Sequence, residues 1–149
     1  MLNIGDDCED RIAEVEYDFK YKDLECFITL SKFGWRCAYI KLPKGHKYHG
    51  RQPQSLCFID CHGGITFAGT SNVCISTTND EWIIGWDYNH LYDSYDWDAV
   101  EALFGPGTVA DVKRRYYVSN VNNLMHKSKL YTVDDIANEI RYVIDKYEL

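Results

Sequence analysis

The chain has 149 residues, 46% hydrophobic and 15% aromatic, with a formal net charge of −7; this is the size and composition of one domain with a packed core, and it excludes a disordered chain. The acidic balance opposes general nucleic-acid binding, which draws its affinity from clustered Lys and Arg. It leaves room for a small anionic ligand held by a few local donors.

No apolar stretch approaches the ~20 residues of a membrane span. Met1 to Asp7 has neither a basic nor an apolar leader character, so the expected location is the cytoplasm, with no membrane partner. The six cysteines are then read as reduced thiols, most of them in apolar runs such as Cys26-Phe27-Ile28 and Cys57-Phe58-Ile59. They contain no C-x-x-C pair, so no structural zinc is expected from them.

In chain order, Ala13 to Phe19 alternates weakly, and Leu24 to Leu30 with Trp35 to Leu42 form two β-rich runs around Ser31-Lys32-Phe33-Gly34, which reads as a hairpin. Pro43 to Arg51 is a loop and the most basic stretch. Ser55 to Cys61 reads as a strand running into His62-Gly63-Gly64, with alternation resuming from Ile65 to Ala68 and a further short strand at Val73 to Ser76. Glu81 to Trp86 reads as a buried strand ending at Asp87. Asp96 caps a helix over Trp97 to Phe104 that stops at Gly105-Pro106-Gly107, and Thr108 with Asp111 opens another. Tyr116 to Lys129 has no clear pattern. Thr132 and Asp135 resemble a capping box before an apolar stripe at Val133, Ile136, Ala137, Ile140, Val143, Ile144 and Tyr147. The expected architecture is α+β: one domain over residues 1–149, a mainly antiparallel sheet with the C-terminal amphipathic helix packed on it.

Two segments carry the chemistry. Asp87, His90 and Asp93 recur every third residue directly after an apolar strand, where carboxylates can orient an imidazole or help hold a divalent cation. His62-Gly63-Gly64-Ile65-Thr66 sets consecutive glycines, able to form an anion-holding concavity, beside an imidazole. Both also admit a plain reading as turns with solvated side chains. One shared site requires their strands to be neighbours that open on the same edge. His46 in the basic loop could steer a phosphate, and Trp86 is placed either for the core or for stacking on a base. A nucleophilic Cys61 is disfavoured, because adjacent strand residues point to opposite faces.

At these segments the chain resembles a family of small proteins encoded by phages and prophages of Gram-positive hosts. The likeness runs from about Trp35 to Asp93. It comprises Trp35-Arg36-Cys37-Ala38-Tyr39-Ile40, Pro43-Lys44-Gly45-His46 with Tyr48 and Gly50, His62-Gly63-Gly64-Ile65-Thr66-Phe67, and Trp82-Ile83-Ile84-Gly85-Trp86-Asp87 with His90 and Asp93. The family more often has Phe at the position of Trp86, and Cys-Ala or Thr-Ala at Tyr88-Asn89. The resemblance implies a phage accessory protein acting in the host cytoplasm, a class that often neutralises host defence.

Three functions follow as expectations. The first is sequestration of a small nucleotide-derived signal by His46, His62, Gly63, Gly64, Thr66, Trp86, Asp87 and His90. The second is hydrolysis of such a nucleotide by His62, Asp87, His90 and Asp93, with no cofactor required and a divalent metal as an option. The third is inhibition of a host protein through the acidic clusters Asp6-Asp7-Glu9-Asp10 and Asp93-Asp96-Asp98-Glu101. Homo-oligomerisation is compatible with each.

Overall fold

The computed structural model describes residues 12–78, 80–116 and 128–149. Among these residues the fold is α+β: a five-stranded antiparallel sheet with three helices. Strands β1 (Ala13–Tyr21), β2 (Leu24–Ser31) and β3 (Arg36–Leu42) form a meander, followed by β4 (Phe67–Gly69) and β5 (Trp82–Asp87), in the spatial order β1-β2-β3-β5-β4. β5 therefore inserts between β3 and β4 and lies at the interior of the sheet. Its five residues Trp82 to Trp86 are all buried, which is why it reads as a continuous apolar run rather than an alternating one.

Period-2 alternation assigns the two faces. Cys26, Ile28, Ala38, Ile40, Ile84 and Trp86 form one face and pack against the last helix, α3 (Val133–Lys146), through Ile136, Ala137, Ile140, Val143 and Ile144. The predicted capping box is formed, with Thr132 Oγ1 accepting from Asp135 N and Asp135 accepting from Thr132 N. The opposite face is crossed by the chain between β4 and β5. There Cys74 donates to the Ala13 carbonyl at 3.2 Å, and Ile75 is buried.

Two sequence expectations differ from the structure. Ser55 to Cys61 is not a strand: a 3-10 turn occupies Pro53–Leu56, and burial falls on Leu56 and Ile59 while Cys57 and Phe58 are exposed. That spacing of three belongs to a turn, and Pro53 at its start presets φ. Val73 to Ser76 forms no ladder, because it lies over the sheet rather than at an edge; Val73 is exposed and Ile75 buried without a strand partner. The unpatterned Tyr116 to Lys129 region lies mostly outside the described residues.

Helices α1 (Trp97–Phe104) and α2 (Thr108–Tyr116) form a hairpin beyond the β2–β3 turn, with Asp96 accepting from Ala99 N as predicted. They are tied to the sheet by Arg36, only 5% exposed. Its guanidinium donates twice to Glu16 on β1, at 2.7 and 2.8 Å, and to the Tyr131 carbonyl at 3.1 Å, and meets Asp96 at 2.8 Å. Burial opposes its charge, but the hydrogen bonds and charge of Glu16, then of Asp96, outweigh that and leave its pKa raised. No helix among the described residues is long and apolar enough to cross a membrane.

Because removing one partner strands two carboxylates and a carbonyl, Arg36→Ala is expected to lower stability by about 3–5 kcal/mol in urea unfolding, whereas a loss under about 1 kcal/mol would show the network to be dispensable.

Candidate functional site

β4 and β5 are antiparallel neighbours, with Phe67 opposite Gly85. The segment that enters β4 and the segment that leaves β5 therefore meet at one edge of the sheet, and this brings His62-Gly63-Gly64 and Asp87-His90-Asp93 together. The ladder continues past both strand ends: Thr66 N donates to Gly85 O at 3.0 Å, and Tyr88 N to Arg36 O at 2.9 Å.

Asp93 is the centre of the cluster. It is only 3% exposed. Its carboxylate accepts from His62 Nε2 at 2.8 and 2.9 Å, from His90 Nδ1 at 2.9 Å and from the His90 backbone N–H at 2.9 Å. Burying a carboxylate is costly unless each lone pair is engaged, and here two imidazoles and a backbone amide engage it. Because an ionised carboxylate only accepts, the same bonds call for a proton on His62 Nε2 and on His90 Nδ1. The turn itself is closed by Asp93 N donating to His90 O, and a parallel bridge to Lys129 holds its far side.

Around this carboxylate the rings form a compact array. His62 stacks on Tyr88 with centroids 4.6 Å apart and planes 9° apart, packs on Tyr131 at 4.6 Å, and meets His90 edge-on at 5.0 Å. His90 Nε2 is 3.7 Å from Asp87 Oδ1, while Asp87 Oδ2 accepts from Thr66 Oγ1 at 3.1 Å. Lys129 places its ammonium over the Tyr131 ring at 4.6 Å.

A second layer fixes the first. Trp86 Nε1 donates to the Tyr88 hydroxyl at 3.0 Å, and that hydroxyl donates in turn to Glu139 Oε1 at 2.8 Å, the same oxygen that accepts from His62 N at 3.0 Å. Burial and then the Glu139 charge raise the Tyr88 pKa far above the ordinary value, which keeps its hydroxyl a donor. The helix α3 thus holds the His62 backbone through Glu139. Tyr88, Tyr131, Lys129 and Glu139 were not among the sequence candidates. Only the tertiary fold brings 131 and 139 to residue 62.

The other candidates are placed as follows. Gly63 and Gly64 both have positive φ, 74° and 79°. The Gly64 N–H is already donated to Cys61 O at 2.9 Å, so it is not a ligand donor. Gly63 lets His90 approach: a Cβ there would fall 2.3 Å from His90 Nε2. Trp86 is 1% exposed and belongs to the core, away from any stacking role. His46 lies beyond the Leu42 end of β3, opposite Trp82, whereas the cluster adjoins the Cys37 end, opposite Asp87; five strand residues, about 17 Å, separate the two. His46 therefore does not reach the cluster, and its Nδ1 accepts from Tyr48 N. Burial pushes the Cys61 thiol up to about 12, so it is no nucleophile near neutral pH. Of the acidic clusters, 6–10 lies outside the described residues. In the second, Asp93 is buried, Asp96 is bound to Arg36, and Glu101 accepts from Gly107 N and Val109 N.

Among the described residues, His62, His90 and Asp93 form the group able to hold a metal ion, with one donor atom from each lying within 4.8 Å of the others. No protein-family model, curated protein or solved structure matches this chain.

Gly63→Ala is expected to displace the His90 ring and to cost at least ~1 kcal/mol, since it adds both a steric overlap and positive-φ strain. Thermal unfolding reads the cost, and a shift of the His90 ring resonances reads the displacement. An unchanged His90 environment would contradict the close approach.

Proposed function

We propose that the chain binds a small anionic, nucleotide-derived molecule at the His62–Asp93–His90 centre and withholds it, as a phage-encoded accessory protein acting against host defence. The observation that carries this reading is the meeting of two imidazoles on one buried carboxylate, at the sheet edge where both sequence motifs end. A buried charge with such partners is expensive to assemble and adds little to stability compared with apolar packing. Its presence is better explained by use.

The groups around the centre suit such a ligand. Thr66 supplies a hydroxyl, and Lys129 an ammonium beside Tyr131. Between His90 and Asp93, Leu91 and Tyr92 are 61% and 56% exposed, apolar surface beside the imidazoles for a base. The resemblance to phage accessory proteins supplies the biological setting.

Hydrolysis of the same ligand is the second reading, and one observation favours it. Asp93 fixes the tautomer of both rings, as a proton-transferring pair requires.

Incubation of the purified chain with linear and cyclic nucleotides, followed by melting temperature and chromatography of the ligand, tests both. A raised melting temperature with the ligand recovered intact is the expected result. Consumption of the ligand would replace sequestration by hydrolysis, and no shift and no turnover across the panel would overturn both.

A further inference from the structure

We infer that His62, His90 and Asp93 bind a divalent first-row transition ion of the zinc or iron(II) class, and that this ion supplies the positive charge with which the centre takes its anionic ligand. The second half of the inference rests on the function proposed above. The first half stands on geometry.

Two imidazole nitrogens and a carboxylate are a donor set suited to zinc or iron(II). First-row ions bond such donors at about 2.0–2.2 Å, so adjacent donors lie roughly 3 Å apart on an octahedral shell and roughly 3.4 Å apart on a tetrahedral one. The His62 Nε2 to Asp93 distances of 2.8 and 2.9 Å and the His90 Nδ1 to Asp93 distance of 2.9 Å come close to the octahedral edge and fall short of the tetrahedral one, so a small outward shift of the donors admits an ion. The two nitrogens, within 4.8 Å of each other, must draw closer to share an ion. His90, with 39% of its side chain exposed against 20% for His62, has the room to move.

The surroundings fit as well. A ligating histidine characteristically donates its other ring N–H to a carboxylate, which orients the ring and makes the ligating nitrogen more basic. With an ion on Nδ1, the proton of His90 resides on Nε2, which faces Asp87 Oδ1 at 3.7 Å. Asp87, a ligand candidate by its spacing in the sequence, thereby becomes the orienting carboxylate, itself held by Thr66. The backbone N–H of His90 still bonds Asp93, and Glu139 still holds the backbone of residue 62.

Charge gives an independent argument. Asp87, Asp93 and Glu139 surround the imidazoles, and an ammonium, that of Lys129, lies over the neighbouring Tyr131 ring. Arg36, which reaches the Tyr131 carbonyl, is committed to Glu16 and Asp96. A phosphate approaching three carboxylates is repelled. A bound divalent cation offsets that negative charge and, with three protein ligands, keeps coordination positions open for phosphate oxygens.

The test uses the full chain, stripped with a chelator and titrated with Zn²⁺ and Co²⁺ by calorimetry, with the cobalt absorption spectrum as a second readout. The expected result is one ion per chain, a cobalt spectrum of nitrogen and oxygen coordination, and affinity lowered at least about tenfold in His90→Ala and in Asp93→Asn. Circular dichroism checks the fold of each variant; should the buried Asp93 not tolerate change, the more exposed His90 decides alone. No binding by the parent chain, or affinity unchanged in His90→Ala, would overturn the site. Nucleotide binding indifferent to chelation would overturn the metal's role and leave the ligand reading intact. Metal binding with no nucleotide response would keep the site and remove the ligand reading.

Discussion

A single buried carboxylate sets the geometry of this molecule's sheet edge. Asp93 lies in a turn, 3% exposed, where an unpaired negative charge would cost several kcal/mol. Its partners come from two segments that are remote in sequence: the His90 amide and ring, and the His62 ring. Satisfying that charge therefore requires the approach to β4 and the exit from β5 to stay together. The insertion of β5 between β3 and β4 makes this achievable, and the stack of His62 on Tyr88 seals it from the core side. The glycine at 63 is a consequence of the same demand, since any side chain there would overlap the His90 ring.

The strands of the meander, β5 and the C-terminal helix were legible in the sequence because each has one dominant period. Alternation marks Leu24 to Leu30, a continuous apolar run marks an interior strand at Trp82 to Trp86, and a 3.6-residue stripe follows a capping box at Thr132. Residues 55–61 and 73–76 were misread because short apolar runs look alike whether they lie in a ladder, a turn or a cover over a sheet face. Which of these applies depends on partners that local sequence does not name. The site was legible to the same degree. The histidines and aspartates of 62–66 and 87–93 announce themselves by composition. Their division of labour does not, because whether Asp87 or Asp93 becomes the buried acceptor depends on which one the turn folds inward. Glu139, Tyr88 and Tyr131 carried no signal of their own: each is an ordinary residue of an amphipathic helix or aromatic-rich segment until the fold sets it beside His62.

The charge distribution follows a consistent rule. Many cations of the described chain are consumed by the fold: Arg36 by Glu16 and Asp96, Lys41 by Glu25 and Glu81, Lys22 by Asp145, and Arg114 and Arg115 by Asp111. The exposed pairs among these contribute little to stability, whereas the Arg36 network is buried and joins β1, β3, the start of α1 and the segment before α3. Through the Tyr131 carbonyl the same network braces the residue whose ring packs on His62. The protein thus places a buried ion-pair network directly behind its candidate site, and presents imidazole and carboxylate rather than guanidinium at the front.

The central claim, that Asp93 holds both imidazoles as one unit, is tested most directly by long-range ¹⁵N NMR of the histidine rings in the metal-free chain. The account predicts that neutral His62 carries its proton on Nε2 and neutral His90 on Nδ1, and that both assignments are lost together in Asp93→Asn. A neutral His62 protonated on Nδ1, or a His90 ring whose tautomer is indifferent to residue 93, would contradict it.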